Sequence, residues 1–297
     1  MLAVEQTLTR WQQIQQLPLW VAAVGIIVFF IILKSPFLKT TALHHGPNRS
    51  IGLAPADLLI ALGLLIFAAA AFVLFAQLLN ALSPPAADQA STLRTVTLTL
   101  LSQFMTLGPL AAYLLWRASR VHRGLRRIGL VPRRPIFETK LAATALVFTI
   151  PLLFALLIIA SAVGILLGYP PRTIGHVLLD TLAQSNSPLA TALLLLSAIV
   201  IAPIFEECVY RGLLQSTLAE WLGRSRRGLA IFLAAFLFAI VHLGATPPHA
   251  IPALFAFGLI LGYLYERTGS LLPSILLHAG FNAFNVAMVL LMVSQTA

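Results

Sequence analysis

Long apolar runs broken by short polar or basic stretches organise the 297-residue chain. A membrane span needs about 20 mostly apolar residues. Runs that meet this reading lie at 17–33, 56–80, 94–116, 140–168, 188–210, 229–245, 250–265 and 271–294. The expected fold is therefore all-α, a polytopic transmembrane bundle of about eight spans. The seventh run is short, which fits a tilted or partly re-entrant segment. The eighth holds His278, Gly280 and Asn282, so it is not a uniform apolar rod. Residues 1–16 combine Glu5, Arg10 and Trp11 with several Gln and are expected to form an interfacial helix. No internal repeat or low-complexity tract is evident.

Composition narrows the class. Only 9% of residues are charged and 59% are hydrophobic, with a mean hydropathy of +0.94. Soluble domains are near a quarter charged, and disorder needs low hydrophobicity, so both are excluded. The single cysteine, Cys208, excludes an internal disulfide framework and a cysteine-based zinc cluster. The net charge of +10 lies in connections between apolar runs, which points to membrane topology rather than nucleic acid. The 117–140 segment carries Arg117, Arg120, Arg123, Arg126, Arg127, Arg133, Arg134 and Lys140 against Glu138. Lys34, Lys39 and Arg49 lie in 34–55, and Arg211, Arg224, Arg226 and Arg227 in 211–228. The alternate connections are poor in cations: 81–93 has Asp88, 169–187 has Arg172 and Asp180, and 246–250 has none. With eight spans the basic connections fall on the cytoplasmic side and both termini outside. The 117–140 segment is expected to contact anionic lipid, or less simply to dock an acidic partner.

Ionisable groups in a span are costly and mark function by default. The first four runs hold almost none. The last four hold Glu206, Glu207, Arg211, His242, His278 and Asn282. The expectation is a lipid-facing N-terminal region, 1–187, and a polar cavity built by the last four helices, 188–297. On a helix, Glu207 lies beside Arg211 at i,i+4, which suits bracing. Glu206 falls about 100° away with Tyr210; it has no local cation, which suits a general base, and Tyr210 is placed to orient it. His242 and Glu206 are equidistant from position 224, inside the polar turn 221–228, so an antiparallel hairpin sets them at one height. His278 and Asn282 share a face at i,i+4. His278 lies about 13 Å along its helix from Gly269, and Glu206 about 27 Å from Pro188, which places both in the inner half of the bilayer.

A carboxylate with an imidazole can deprotonate water, and a second imidazole with an amide can stabilise an oxyanion. Together they can hydrolyse an amide without a Ser or Cys nucleophile. Glu206, His242 and His278 could instead hold zinc, although the helical His-Glu-x-x-His spacing is absent. Cys208 reads as inert packing. Phe257–Gly262 and Thr268–Gly269–Ser270 permit close helix approach and a tight turn. His44, His45, His122, His176 and His249 read as solvated.

Three motifs in order resemble the CPBP family of intramembrane proteases, the CAAX protease and bacteriocin-processing group. They are Glu206-Glu207 with Arg211, Phe238 with His242, and His278 with Asn282, followed in likeness by Arg267-Thr268-Gly269-Ser270-Leu271. The resemblance covers roughly 188–290. It implies a glutamate-type intramembrane endopeptidase cutting near the cytoplasmic side, in which Glu206 and His242 activate water, His278 and Asn282 stabilise the oxyanion, and Glu207 and Arg211 brace the site. It implies no resident cofactor, with zinc as the alternative, and a membrane-embedded or membrane-associated peptide or protein substrate, lipidated or not. The expected location is a bacterial cytoplasmic membrane. Other readings are a catalytically silent scaffold that regulates another membrane protein, and a transporter or proton path.

Overall fold

The computed structural model describes residues 17–34, 50–82, 89–168, 181 and 187–296. All named elements among them are helical. The main helices are α1 (Leu19–Lys34), α2 (Pro55–Leu82), α3 (Gln89–Ser119), α4 (Pro135–Leu167), α5 (Pro188–Leu222), α6 (Arg227–Ile240), α7 (Ile251–Thr268) and α8 (Leu272–Thr296). Each falls on one of the eight apolar runs. The interfacial helix expected over 1–16 lies outside the described residues.

Six helical segments are long and apolar enough to cross a membrane; α1 and α6 are shorter. At 1.5 Å per residue the 14 residues of α6 span about 21 Å, short of a hydrocarbon core of about 30 Å. The chain leaves the α-helix at Val241, and the run expected to reach residue 245 ends in a turn. In contrast, α5 continues well past the expected end at residue 210. Its continuation carries Arg211, which was expected in a polar connection but is 1% exposed. The helix tolerates that charge because Glu207 neutralises it from the preceding turn. Arg227 is also buried and ion-paired, to Glu266 at 2.7 Å. Two of the four cations in 211–228 are thus neutralised inside the bundle, while Arg226 remains exposed.

The N-terminal helices are joined to the C-terminal ones at the basic end of the bundle. Leu114 of α3 and Ile128 pack with Leu213, Tyr265 and Leu271 in one buried cluster. The Tyr265 hydroxyl donates to the Ile128 carbonyl at 3.1 Å, and Leu271 N–H donates to the Gly129 carbonyl at 2.9 Å. Gly129 has φ +84°, and a Cβ there would lie 2.8 Å from the Gly269 carbonyl oxygen. A glycine is required both for that conformation and for that approach. Glu220, near the end of α5, accepts from Ser50 Oγ and from the N–H groups of Ile51 and Leu53. Arg117 and Arg127 donate to the carbonyls of Gly52 and Ser50.

Within the last helices, small residues permit close packing, as the sequence suggested. Gly258 of α7 faces Ala235 of α6. Gly262 makes room for Gln215, whose amide donates to the Gly262 carbonyl at 3.0 Å. The expected tight turn ends α7, with Gly269 in the left-handed region.

Candidate functional site

The backbone of α5 is π-helical over Ser197–Ile201 and again over Cys208–Gln215, on either side of Glu206. Such departures from α geometry recur at functional sites. The first has a local cause. Ala202 N–H donates to the Ser197 carbonyl, five residues back, so it is not available to Ala198. The next donor in that pattern would come from residue 203, which is proline and has no N–H. The Ala198 carbonyl is therefore left over. Asn282 of α8 takes it, with Nδ2 at 2.8 Å. Ala202-Pro203, just ahead of the two glutamates, is thus the sequence origin of a link between α5 and α8.

Glu207 is fully buried, and its Oε1 accepts from Arg211 Nη1 at 2.9 Å. The same oxygen lies 2.9 Å from His278 Nδ1. Arg211 also donates to the Gly258 carbonyl at 3.3 Å and sits 4.8 Å above the Phe238 ring. Glu207 and Arg211 therefore tie α5 to α6, α7 and α8. Because a carboxylate only accepts, His278 Nδ1 carries its proton toward Glu207. His278 Nε2 then faces Glu206, with Oε2 at 3.8 Å. That Glu206 oxygen is buried and has no hydrogen-bond partner. The gap is too long for a direct bond, and a water bridges such gaps.

His242, expected on the sixth span, stands in the turn just beyond α6. Its Nδ1 lies 2.6 Å from the Phe238 carbonyl, an acceptor, so the proton sits on Nδ1 and Nε2 offers a lone pair. Phe238 holds both imidazoles by ring contact, at 4.8 Å to His242 and 5.9 Å to His278. Phe257 closes on His278 from α7 at 5.3 Å. The aromatic residue four before His242 is thus a packing wedge that fixes two rings at once.

Glu206, His242, His278 and Asn282 line one cavity of about 450 Å³. The structure brings together all four residues expected to do chemistry. Tyr210 does not join them: its ring packs edge-on against Phe238 at 5.2 Å, and it is absent from the cavity wall. Arg211, four residues after Glu207, reaches it across one turn. Cys208 is buried.

The cavity is not built by the last four helices alone. Gln103 of α3 and Leu153, Phe154 and Leu157 of α4 form part of its wall. His249, expected in solvent, lines it too, as do Thr246 and Asn285. Gln103 and Asn285 carry a weak sequence signal, a carboxamide within a mostly apolar run. Thr246 and His249 carry none, because the fold brings the 241–250 connection over the site. His122 is exposed as expected, and His44, His45 and His176 lie outside the described residues.

His278 Nδ1 is committed to Glu207 and His242 Nδ1 to a carbonyl, which leaves the Nε2 of each ring available, with that of His278 facing Glu206. Among the described residues no three His, Cys, Asp or Glu side chains are grouped to hold a metal ion.

In a comparison with known families, residues 188–284 fit the family described as Type II CAAX prenyl endopeptidase Rce1-like. Residues 188–284 carry an Rce1-like domain. This agrees with the likeness of the three motifs to CPBP proteases, and with six helical segments long and apolar enough to cross a membrane it supports an integral multi-pass membrane protein. No curated protein and no solved structure matches the chain. The Rce1-like domain contains Glu206, His242, His278 and Asn282, but neither Gln103 nor Asn285.

Proposed function

We propose that the protein is an intramembrane endopeptidase of glutamate type. The observation that carries this reading is the unpartnered, buried Oε2 of Glu206, set 3.8 Å from an imidazole nitrogen on a cavity wall. A water there is held by Glu206 and by the Nε2 lone pair of His242. Glu206 takes a proton from the water as its oxygen attacks the scissile carbonyl. The resulting oxyanion receives hydrogen bonds from Nε2 of His278 in its imidazolium form, whose Nδ1–H stays on Glu207, and from the second Nδ2 hydrogen of Asn282, the first being held by Ala198. Glu206 returns its proton to the departing nitrogen as the C–N bond breaks, giving an amine and a carboxylic acid. Glu207 and Arg211 position His278, and no step uses a metal.

The wall formed by Leu153, Phe154, Leu157, Leu254, Phe257 and Phe281 suits an apolar or lipid-bearing segment. A prenylated peptide is the substrate class that the family description supports. Glu206 lies about 27 Å from Pro188 and about 24 Å from Leu222 along α5. We therefore place the cut bond near the middle of the membrane, deeper than the cytoplasmic side expected from sequence. We also propose that all eight helices sit in the bilayer, with the basic end cytoplasmic and the exposed arginines 120, 123, 126, 133 and 134 against anionic lipid.

The test is cleavage of a panel of prenylated and unmodified membrane peptides by the reconstituted protein. Glu206→Gln and His242→Ala are expected to lower kcat by a factor of about 10²–10⁴. Cleavage by Glu206→Gln at the parent rate would refute the assignment. If complementation in cells survives both substitutions, the protein acts as a scaffold instead.

A further inference from the structure

The reactive groups account for only part of the polar surface of the cavity. A peptide drawn into an apolar cavity must also satisfy its other backbone groups, since each unpaired carbonyl or N–H in a dry site costs several kcal/mol, about 2–7. Gln103 is placed to meet that need from outside the Rce1-like domain. It stands in the middle of α3 and lines the cavity. Its Oε1 accepts from Ser197 Oγ at 2.9 Å, and Ser197 is fully buried. That bond commits the carbonyl side of the amide, so what Gln103 offers to anything else is its NH2 group, a pair of donors. Ser197 opens the first π segment, and the next residue, Ala198, has its carbonyl held by Asn282. The anchor of Gln103 and the anchor of Asn282 are thus consecutive residues on one turn of α5.

We infer that Gln103 is a substrate-binding residue, whose Nε2 donates to a backbone carbonyl of the bound peptide adjacent to the carbonyl under attack. The inference rests on the peptidase reading and adds to it a role for the N-terminal helices. It explains why a carboxamide on α3 faces the cavity, and why its orientation is fixed by a buried hydroxyl. A merely structural Gln103 would need only its bond to Ser197.

The experiment uses the full chain in liposomes with a dansyl-labelled, prenylated CAAX tetrapeptide. Two substitutions are made. Gln103→Met removes both ends of the amide at similar volume. Gln103→Glu keeps an oxygen for Ser197 but removes the NH2 donors. KM and kcat are measured for each, and probe affinity is measured separately in the Glu206→Gln background, where turnover is blocked. The expected result for both variants is a rise in KM and in probe Kd of about 2- to 13-fold, the worth of one neutral hydrogen bond, with kcat within about twofold of the parent. Unchanged KM and Kd, or a loss confined to kcat, would overturn the inference while leaving the peptidase reading in place. Binding that depends on Gln103 without cleavage by the parent would sustain the inference and sink the peptidase reading. A loss in Gln103→Met that Gln103→Glu fully restores would show that only the Ser197 bond matters, and would also overturn it.

Discussion

Arg211→Met tests whether the polar network beneath the cavity is held by charge compensation. Methionine keeps much of the volume of the arginine stem and removes the guanidinium. Lost with it are the 2.9 Å bond to Glu207, the 3.3 Å bond to the Gly258 carbonyl and the contact with the Phe238 ring. Glu207 is then stranded at 0% exposure, with His278 as the remaining partner of Oε1 and nothing on Oε2. Breaking a buried ion pair from one side costs about 3–5 kcal/mol, chiefly because the surviving charge is left desolvated. Adding Glu207→Gln removes that charge, so the double variant should regain much of the loss, with a coupling energy of about 1–3 kcal/mol. The assay is reversible unfolding in mixed micelles, followed by tryptophan fluorescence, for the parent, both single variants and the double. If Arg211→Met unfolds within about 0.5 kcal/mol of the parent, or if the two substitutions simply add, compensation is not what holds the network.

Gly129→Ala should destabilise the protein by about 1–3 kcal/mol, since it meets both a left-handed backbone and the carbonyl of Gly269. Gly52→Ala, at φ +72° with open space around it, should show only the conformational part, about 1–2 kcal/mol; equal losses at the two sites would refute the contact argument. Glu220→Gln weakens three hydrogen bonds to residues 50–53 and should cost about 1–3 kcal/mol. Its signature is faster hydrogen exchange at Ile51 and Leu53, and unchanged exchange there would count against the clamp. Prolonged chelation should leave peptide cleavage intact. Activity lost with chelation and restored by zinc would recast Glu206, His242 and His278 as ligands.

Much of the site was legible because helical spacing is a local property. Glu207 and Arg211 pair across one turn, His278 and Asn282 lie on one face, and the polar turn near residue 224 sets Glu206 and His242 on one cavity. The end of α5 was less legible, because the apolar run stops near residue 210 while the helix continues to Leu222 on buried polar groups such as Gln215 and Thr217. The bond from Asn282 to the Ala198 carbonyl depends on π geometry, which the 3.6-residue period does not anticipate. Pro203 was the available clue, since a missing N–H frees a carbonyl in any helix.

Apolar period, sparse charge and the order of three motifs determined a helical membrane protein with its candidate site residues on α5, α8 and the turn after α6. Those are properties of neighbours along the chain. Only the tertiary structure decided that His278 bridges two glutamates, that Phe238 wedges two imidazoles, and that α3 and α4 complete the cavity. Contacts between distant helices depend on how each is rotated and how closely it approaches. Those are set by glycine gaps, released carbonyls and buried ion pairs acting together, and no single stretch of sequence carries that information.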